Sequence, residues 1–91
     1  MQKVVINRCF GEFQLSPEAY EFLGLPWDGY GFAYIDDRTD PKLIECVEKL
    51  KGDASGRLAN LKVVKIPDGV EWYIHNYDGE ETVEEVHRTW F

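Results

Sequence analysis

An alternating stretch, Val70 to Tyr77, runs into Asp78-Gly79, and this pairing constrains the chain more than any other feature. Val70, Trp72 and Ile74 fall on one face of the stretch, and Glu71, Tyr73 and His75 on the other. Asp-Gly is among the strongest short-range signals for a two-residue hairpin, because both central positions need positive φ. A strand must therefore return. In that register Tyr77 opposes Glu80 and His75 opposes Thr82. The segment after the turn is ambiguous: Val83, Val86 and Trp90 recur at helical spacing, yet Glu81, Val83, Glu85 and His87 alternate as a strand does. The turn favours the strand.

The remaining elements follow from caps and periodicity. Lys3 to Phe10 (KVVINRCF) opens with Val4, Val5 and Ile6, so both of its faces are apolar, as in a strand covered on two sides. Ser16-Pro17-Glu18 starts a short helix with a capping hydroxyl, a proline at the first helical position and an acid in the first turn. Gly24 and Pro26 stop it. Leu25 to Gly31 reads as a loop, and Phe32 to Ile35 as a short strand. Asp40-Pro41 begins a second helix reaching about Lys51, with Leu43, Ile44, Cys46, Val47 and Leu50 on its apolar side. Glu45 and Lys49 are spaced as a helical ion pair. Asp53 to Asn60 is a linker, Leu61 to Ile66 a strand, and Pro67-Asp68-Gly69 a turn. The expected fold is α+β in a single domain: a mixed or mainly antiparallel sheet of four or five strands, with two helices packed on one face.

Ninety-one residues bury a small core, and an aromatic content of 14% suits one, since rings bury much area for little entropy. The net charge of −7 disfavours phosphate backbones and anionic membrane surfaces, and favours a partner with a basic face. Cys9 and Cys46 form no metal set or CxxC pair, and Cys46 reads as a buried free thiol. No leader-like segment and no bilayer-length apolar run is seen, so a reducing cytoplasm is expected.

No catalytic constellation emerges. His75 and His87 have no fixed ligand spacing, Ser16 is better explained as a cap, and Gly29-Tyr30-Gly31 lacks the flanking strand and helix of a phosphate-binding turn. No cofactor, metal or catalytic residue is expected. Tyrosine, tryptophan and arginine dominate binding hot spots. The candidate contact residues are accordingly Arg8, Trp27, Tyr30, Tyr73, His75, Tyr77, His87, Arg88 and Trp90. Arg38, flanked by Asp36, Asp37 and Asp40, reads as a local ion-pair partner.

KVVINRCFGEFQLSPEAYEFL, DPKLIECVEKL and VEWYIHNYDGEETVEEVHRTW resemble a set of short uncharacterised proteins encoded in phages and prophages. The landmarks are Asn7-Arg8-Cys9, Ser16-Pro17-Glu18, Asp40-Pro41, Ile66-Pro67, Tyr77-Asp78-Gly79 and His87-Arg88-Thr89-Trp90. The resemblance implies an accessory protein made in a bacterial host cytoplasm, and it carries over no active-site residue. The leading expectation is a non-enzymatic binding protein, monomeric or a small homo-oligomer, that modulates or inhibits a host (defence) protein. A module sequestering a nucleotide-like molecule through several arginines is the alternative. A further one is an acidic mimic of DNA using Asp36, Asp37, Asp40, Glu80, Glu81, Glu84 and Glu85.

Overall fold

In the computed structural model, which describes residues 2–86, the Asp78-Gly79 segment forms the expected hairpin. Asp78 and Gly79 have φ of 50° and 89°, the signs a type I′ turn needs. A Cβ on Gly79 would collide with the Gly11 carbonyl, so the close approach of these loops also requires glycine. The Asn76 side chain closes the turn by accepting from the Gly79 N–H at 2.9 Å.

The element order is β1 (Gln2–Asn7), α1 (Pro17–Leu23), α2 (Pro41–Leu50), β2 (Leu61–Ile66), β3 (Trp72–Tyr77) and β4 (Glu80–Glu85), with a 3-10 turn at Lys51–Ala54. β1 pairs antiparallel with β2, and β3 with β4, as two separate two-stranded sheets. Among the described residues the expected single sheet of four or five strands is not formed. β4 lies near β1, but the outer edge of β1 is already occupied. Val5 donates its N–H to the Arg38 carbonyl at 2.9 Å, and Asn7 donates its own to the Glu81 carboxylate at 2.7 Å. Side-chain and loop groups thus stand where a ladder with β4 would have run.

Both helices start as their caps predict. Ser16 Oγ accepts from the Ala19 N–H at 3.0 Å, and Gly24 ends α1 in the left-handed region. Asp40 accepts from the Lys42 N–H at 2.8 Å, with Pro41 at the first position. Leu43, Cys46 and Val47 of α2 are buried with Ala19 and Tyr20 of α1, Val5 of β1 and Leu61 of β2. A second cluster joins Val4, Ile6 and Ile66 to Val64, Trp72, Ile74 and Val83. Successive strand residues point to opposite faces, so β1 and β2 contribute one side to each cluster. This is why Val4, Val5 and Ile6 are apolar without alternation. No ion pair joins Glu45 and Lys49; Glu48 instead meets Lys3 at 2.8 Å.

Three local expectations are corrected. Phe32 to Ile35 is not a strand but part of consecutive tight turns. Ile35 donates to the Phe32 carbonyl and Asp37 to that of Tyr34, which has φ of 63°. Those amides are consumed locally while the chain bends to bring Arg38 beside β1. β1 ends at Asn7, not Phe10: Arg8 still donates to the Asn60 carbonyl in register with β2, but the chain then turns toward the hairpin tip, where the Gly11 N–H meets the Asp78 carbonyl at 3.2 Å. The 53–60 linker has order of its own, with the 3-10 turn and a bridge between Leu15 and Ser55.

Arg38 also departs from its expected role. It does not pair with Asp36, Asp37 or Asp40, but reaches Glu81 in a two-point contact, Nη1 to Oε1 at 2.6 Å and Nη2 to Oε2 at 2.9 Å. The guanidinium lies 3.8 Å from the centroid of the Phe13 ring and also donates to the carbonyls of Ile35 and Val5. The side chains are only 10% and 4% exposed. Removing one member of a buried pair leaves the other charged and unpaired, at about 3–5 kcal/mol. Glu81→Ala is therefore expected to lower unfolding free energy by roughly that amount in urea titrations. The double variant Arg38→Met with Glu81→Met should regain part of the loss only, because the Asn7 N–H stays without its acceptor, at about 1–3 kcal/mol.

Candidate interaction surface

The hairpin register sorts its side chains into two faces. Trp72, Ile74 and Val83 turn inward to the second cluster. The opposite face carries Tyr73, His75 and Tyr77 on β3, paired across the ladder with Glu84, Thr82 and Glu80 on β4. Tyr73 is 50% and Tyr77 65% exposed. Cross-strand partners have Cβ atoms about 5 Å apart, so each ring stands directly beside its partner on β4. The result is a ribbon with aromatic side chains along one strand, and carboxylates with one hydroxyl along the other. Thr82 Oγ1 donates to Glu84 at 2.9 Å, which orients that carboxylate. Arg8 lies at the end of the ribbon. It donates to the Glu81 carbonyl at 2.8 Å and comes within 3.9 Å of Glu80.

Trp27 and Tyr30 occupy a second neighbourhood, the loop after α1. Trp27 packs edge-on against Tyr20 with ring centroids 4.9 Å apart, and Tyr30 stacks on Phe32 at 6.1 Å. Asp28 organises the loop. Its Oδ1 accepts from the N–H groups of Tyr30 and Gly31 at 2.8 and 2.9 Å, while Oδ2 accepts from the Tyr20 hydroxyl at 2.9 Å. The Gly31 and Tyr30 N–H groups hold the Asp28 carboxyl below its ordinary range. Burial pushes the Tyr20 hydroxyl up, helped by the nearby Asp28 charge. A hollow of about 260 Å³ opens beside this loop, lined by Gln14, Leu15, Pro17, Trp27, Gly29, Gly56 and Arg57.

The structure therefore brings together Tyr73, His75 and Tyr77, with Arg8 alongside, and places Trp27 and Tyr30 on a different loop. His87, Arg88 and Trp90 lie outside the described residues. Among the described residues the arginines do not converge on a cavity. Arg38 and Arg8 both turn to Glu81, the one to its carboxylate and the other to its carbonyl, and Arg57 alone borders the Trp27 hollow. Glu81 is likewise withdrawn from the hairpin's acidic cluster. Through the Asp-Gly register, sequence reasoning set Tyr77 opposite Glu80 and His75 opposite Thr82, as the structure has them; it did not extend that register to Tyr73 and Glu84, nor count the acids with the aromatic residues. It also missed Phe10 and Leu58, 69% and 56% exposed, for which no periodic signal exists.

Among the described residues no three side chains gather as a metal site, and no helix is long and apolar enough to cross a membrane. Comparison with known proteins found no matching family model, no similar curated protein and no similar solved structure.

Two outcomes test this geometry. Asp28 keeps its charge below the usual carboxylate range, so its hold on the loop is present above that range and is lost as pH falls through the lowered value. In an NMR titration the Tyr30 and Gly31 amide protons should stay fixed through the ordinary aspartate range and shift only below it. Burial pushes the Cys46 thiol up to about 11. Iodoacetamide at pH 8 should label Cys46 only after denaturation, as read by peptide mass spectrometry.

Proposed function

We propose that this chain is a non-enzymatic binding protein of phage or prophage type, and that it presents the outer face of the β3–β4 hairpin to a basic surface on a bacterial host protein. One observation carries this reading: Tyr73, His75 and Tyr77 stand exposed in a row, with Glu84 and Glu80 opposite the two tyrosines. The hairpin holds its fold through its other face, so the tyrosines are not needed for packing. Tyrosine supplies large, rigid contact area at low entropic cost, and flanking carboxylates steer a partner of opposite charge. The net charge of −7 extends the same field over the molecule. Binding in this way blocks or modulates a host activity by covering it.

A second reading is favoured by the hollow beside Trp27 and Arg57, an aromatic and a guanidinium bordering about 260 Å³. It suits a small anionic ring such as a nucleotide, stacked on the indole with its phosphate on the arginine. A ligand at a hundredfold excess over its Kd would add about 2.7 kcal/mol to stability, readable as a rise in Tm.

The test compares wild-type bait with Tyr73→Ser/Tyr77→Ser in pull-downs from host lysate. Wild type should recover a specific basic partner. The double variant should lose it by at least tenfold in recovered amount while keeping its circular dichroism spectrum and Tm. Equal recovery by both baits, or no specific partner from wild type, overturns the hairpin reading. A Tm rise with nucleotides that Arg57→Ala abolishes would establish the second.

A further inference from the structure

The alternation of the β1–β2 ladder leaves one edge of that ribbon open. In an antiparallel pair, residues that do not bond each other point their main-chain groups outward on both strands. Val5 sends its N–H outward to Arg38, so its partner Val63 also points away from the ladder, and so does Lys65 opposite Lys3. On β1 the outward groups of Val5 and Asn7 are met by Arg38 and Glu81, and only those of Lys3 near the strand's start are left without a partner among the described residues. On β2 only the first is met, Leu61 donating to Ser55 Oγ at 2.9 Å. The outward groups of Val63 and Lys65 have no partner among the described residues.

A hollow of about 340 Å³ runs beside this edge, with Val47, Glu48 and Lys51 on one wall and Leu61, Lys62 and Val63 on the other. Glu48 is neutralised by Lys3 at 2.8 Å. Lys51, Lys62 and Lys65 are exposed and form no ion pair among the described residues. In a chain of net charge −7 this is a basic strip around a free strand edge.

We propose that the β2 edge is a docking site for an extended, acidic segment of a partner protein, which adds a third strand to the β1–β2 ribbon. Its main chain bonds Val63 and Lys65, its apolar side chains enter the hollow against Val47 and Leu61, and its carboxylates, on the opposite face of the added strand, meet Lys62, while Lys51 and Lys65 add their charge along the edge. Strand addition of this kind takes affinity from the main chain and specificity from alternate side chains. A second copy of this chain is the poorer occupant. It would set Lys62 and Lys65 against their own equivalents, and like charges on paired strands destabilise.

The probe is a capped ten-residue peptide alternating valine and glutamate. Its controls are the same peptide with lysine for glutamate, and the same peptide N-methylated at every second residue. Binding should slow hydrogen exchange of the Val63 and Lys65 amides at least tenfold, while both controls leave them unchanged. Lys51→Glu/Lys62→Glu should weaken the acidic peptide at least tenfold, with the amide spectrum otherwise preserved. The proposal fails if millimolar acidic peptide leaves the two amides unprotected, or if the lysine peptide protects them equally. It fails too if they are already protected in the free protein, whether sedimentation then shows a dimer or a monomer.

Discussion

The contact between Arg38 and Glu81 decides the architecture, because it joins three parts of the chain that no ladder connects. Arg38 ends the turns that follow α1, Glu81 sits in β4, and both meet the outer edge of β1 at Val5 and Asn7. The pair is almost wholly out of water, which makes its charges expensive unless every polar atom is matched. They are matched: each carboxylate oxygen accepts from the guanidinium, and Oε1 also takes the Asn7 N–H. The guanidinium in turn reaches two carbonyls and lies against the Phe13 ring. Two consequences follow from one contact. The hairpin is tied across the edge of β1, and that edge is closed to strand pairing, so the molecule carries two ribbons instead of one sheet.

How much of this could be read from the chain depends on the range of each interaction. Caps and turns are local, so Ser16-Pro17, Asp40-Pro41 and Asp78-Gly79 announce their structures within four residues, and the hairpin register follows without further information. The buried stripe of α2 and the two-faced burial of Val4 and Val5 are periodic, and they too were legible. Arg38 and Glu81 are 43 residues apart. Nothing in an arginine surrounded by Asp36, Asp37 and Asp40 reveals that it passes over all three for a distant glutamate. Proximity in sequence favours the local acids, which are solvated and gain little from pairing; burial beside Phe13 favours the partner that leaves water with it. The same contest misassigned Phe32 to Ile35. Its residues have strand propensity, but the chain bends there, with Ile35 donating to the Phe32 carbonyl in a tight turn and Ala33 to the Tyr20 hydroxyl at 2.9 Å.

Legibility of the candidate surface divides in the same way. Tyr73, His75 and Tyr77 share a face by strand period alone, and their exposure follows once Trp72 and Ile74 are assigned inward. Trp27 and Tyr30 gave only composition, and their separation from the hairpin face is a matter of loop path. Glu81 belongs by sequence to a run of glutamates that looks like one acidic face. Alternation places it on the inner side, where it is a structural anion, and leaves Glu80 and Glu84 outside with the tyrosines. A count of carboxylates therefore overstates the field that a partner meets at the hairpin.

The two ribbons also differ in what each leaves unpaired, and the difference bears on how a chain of 91 residues avoids pairing with itself. A free edge is a hazard because any extended segment can bond to it. β1 is protected by main-chain and side-chain groups of its own fold, whereas β2 carries lysines at positions 62 and 65 and keeps its outward amides. Lysines repel another β2 and the edges of other basic strands, but they attract an acidic one. The same residues thus act against self-association and select for a partner, without any change in the fold. The hairpin offers a different chemistry: its outer face, rich in rings and carboxylates, presents side chains instead of main chain. A molecule with one surface of each kind can hold two different partners, or two parts of one, through chemistries that do not compete.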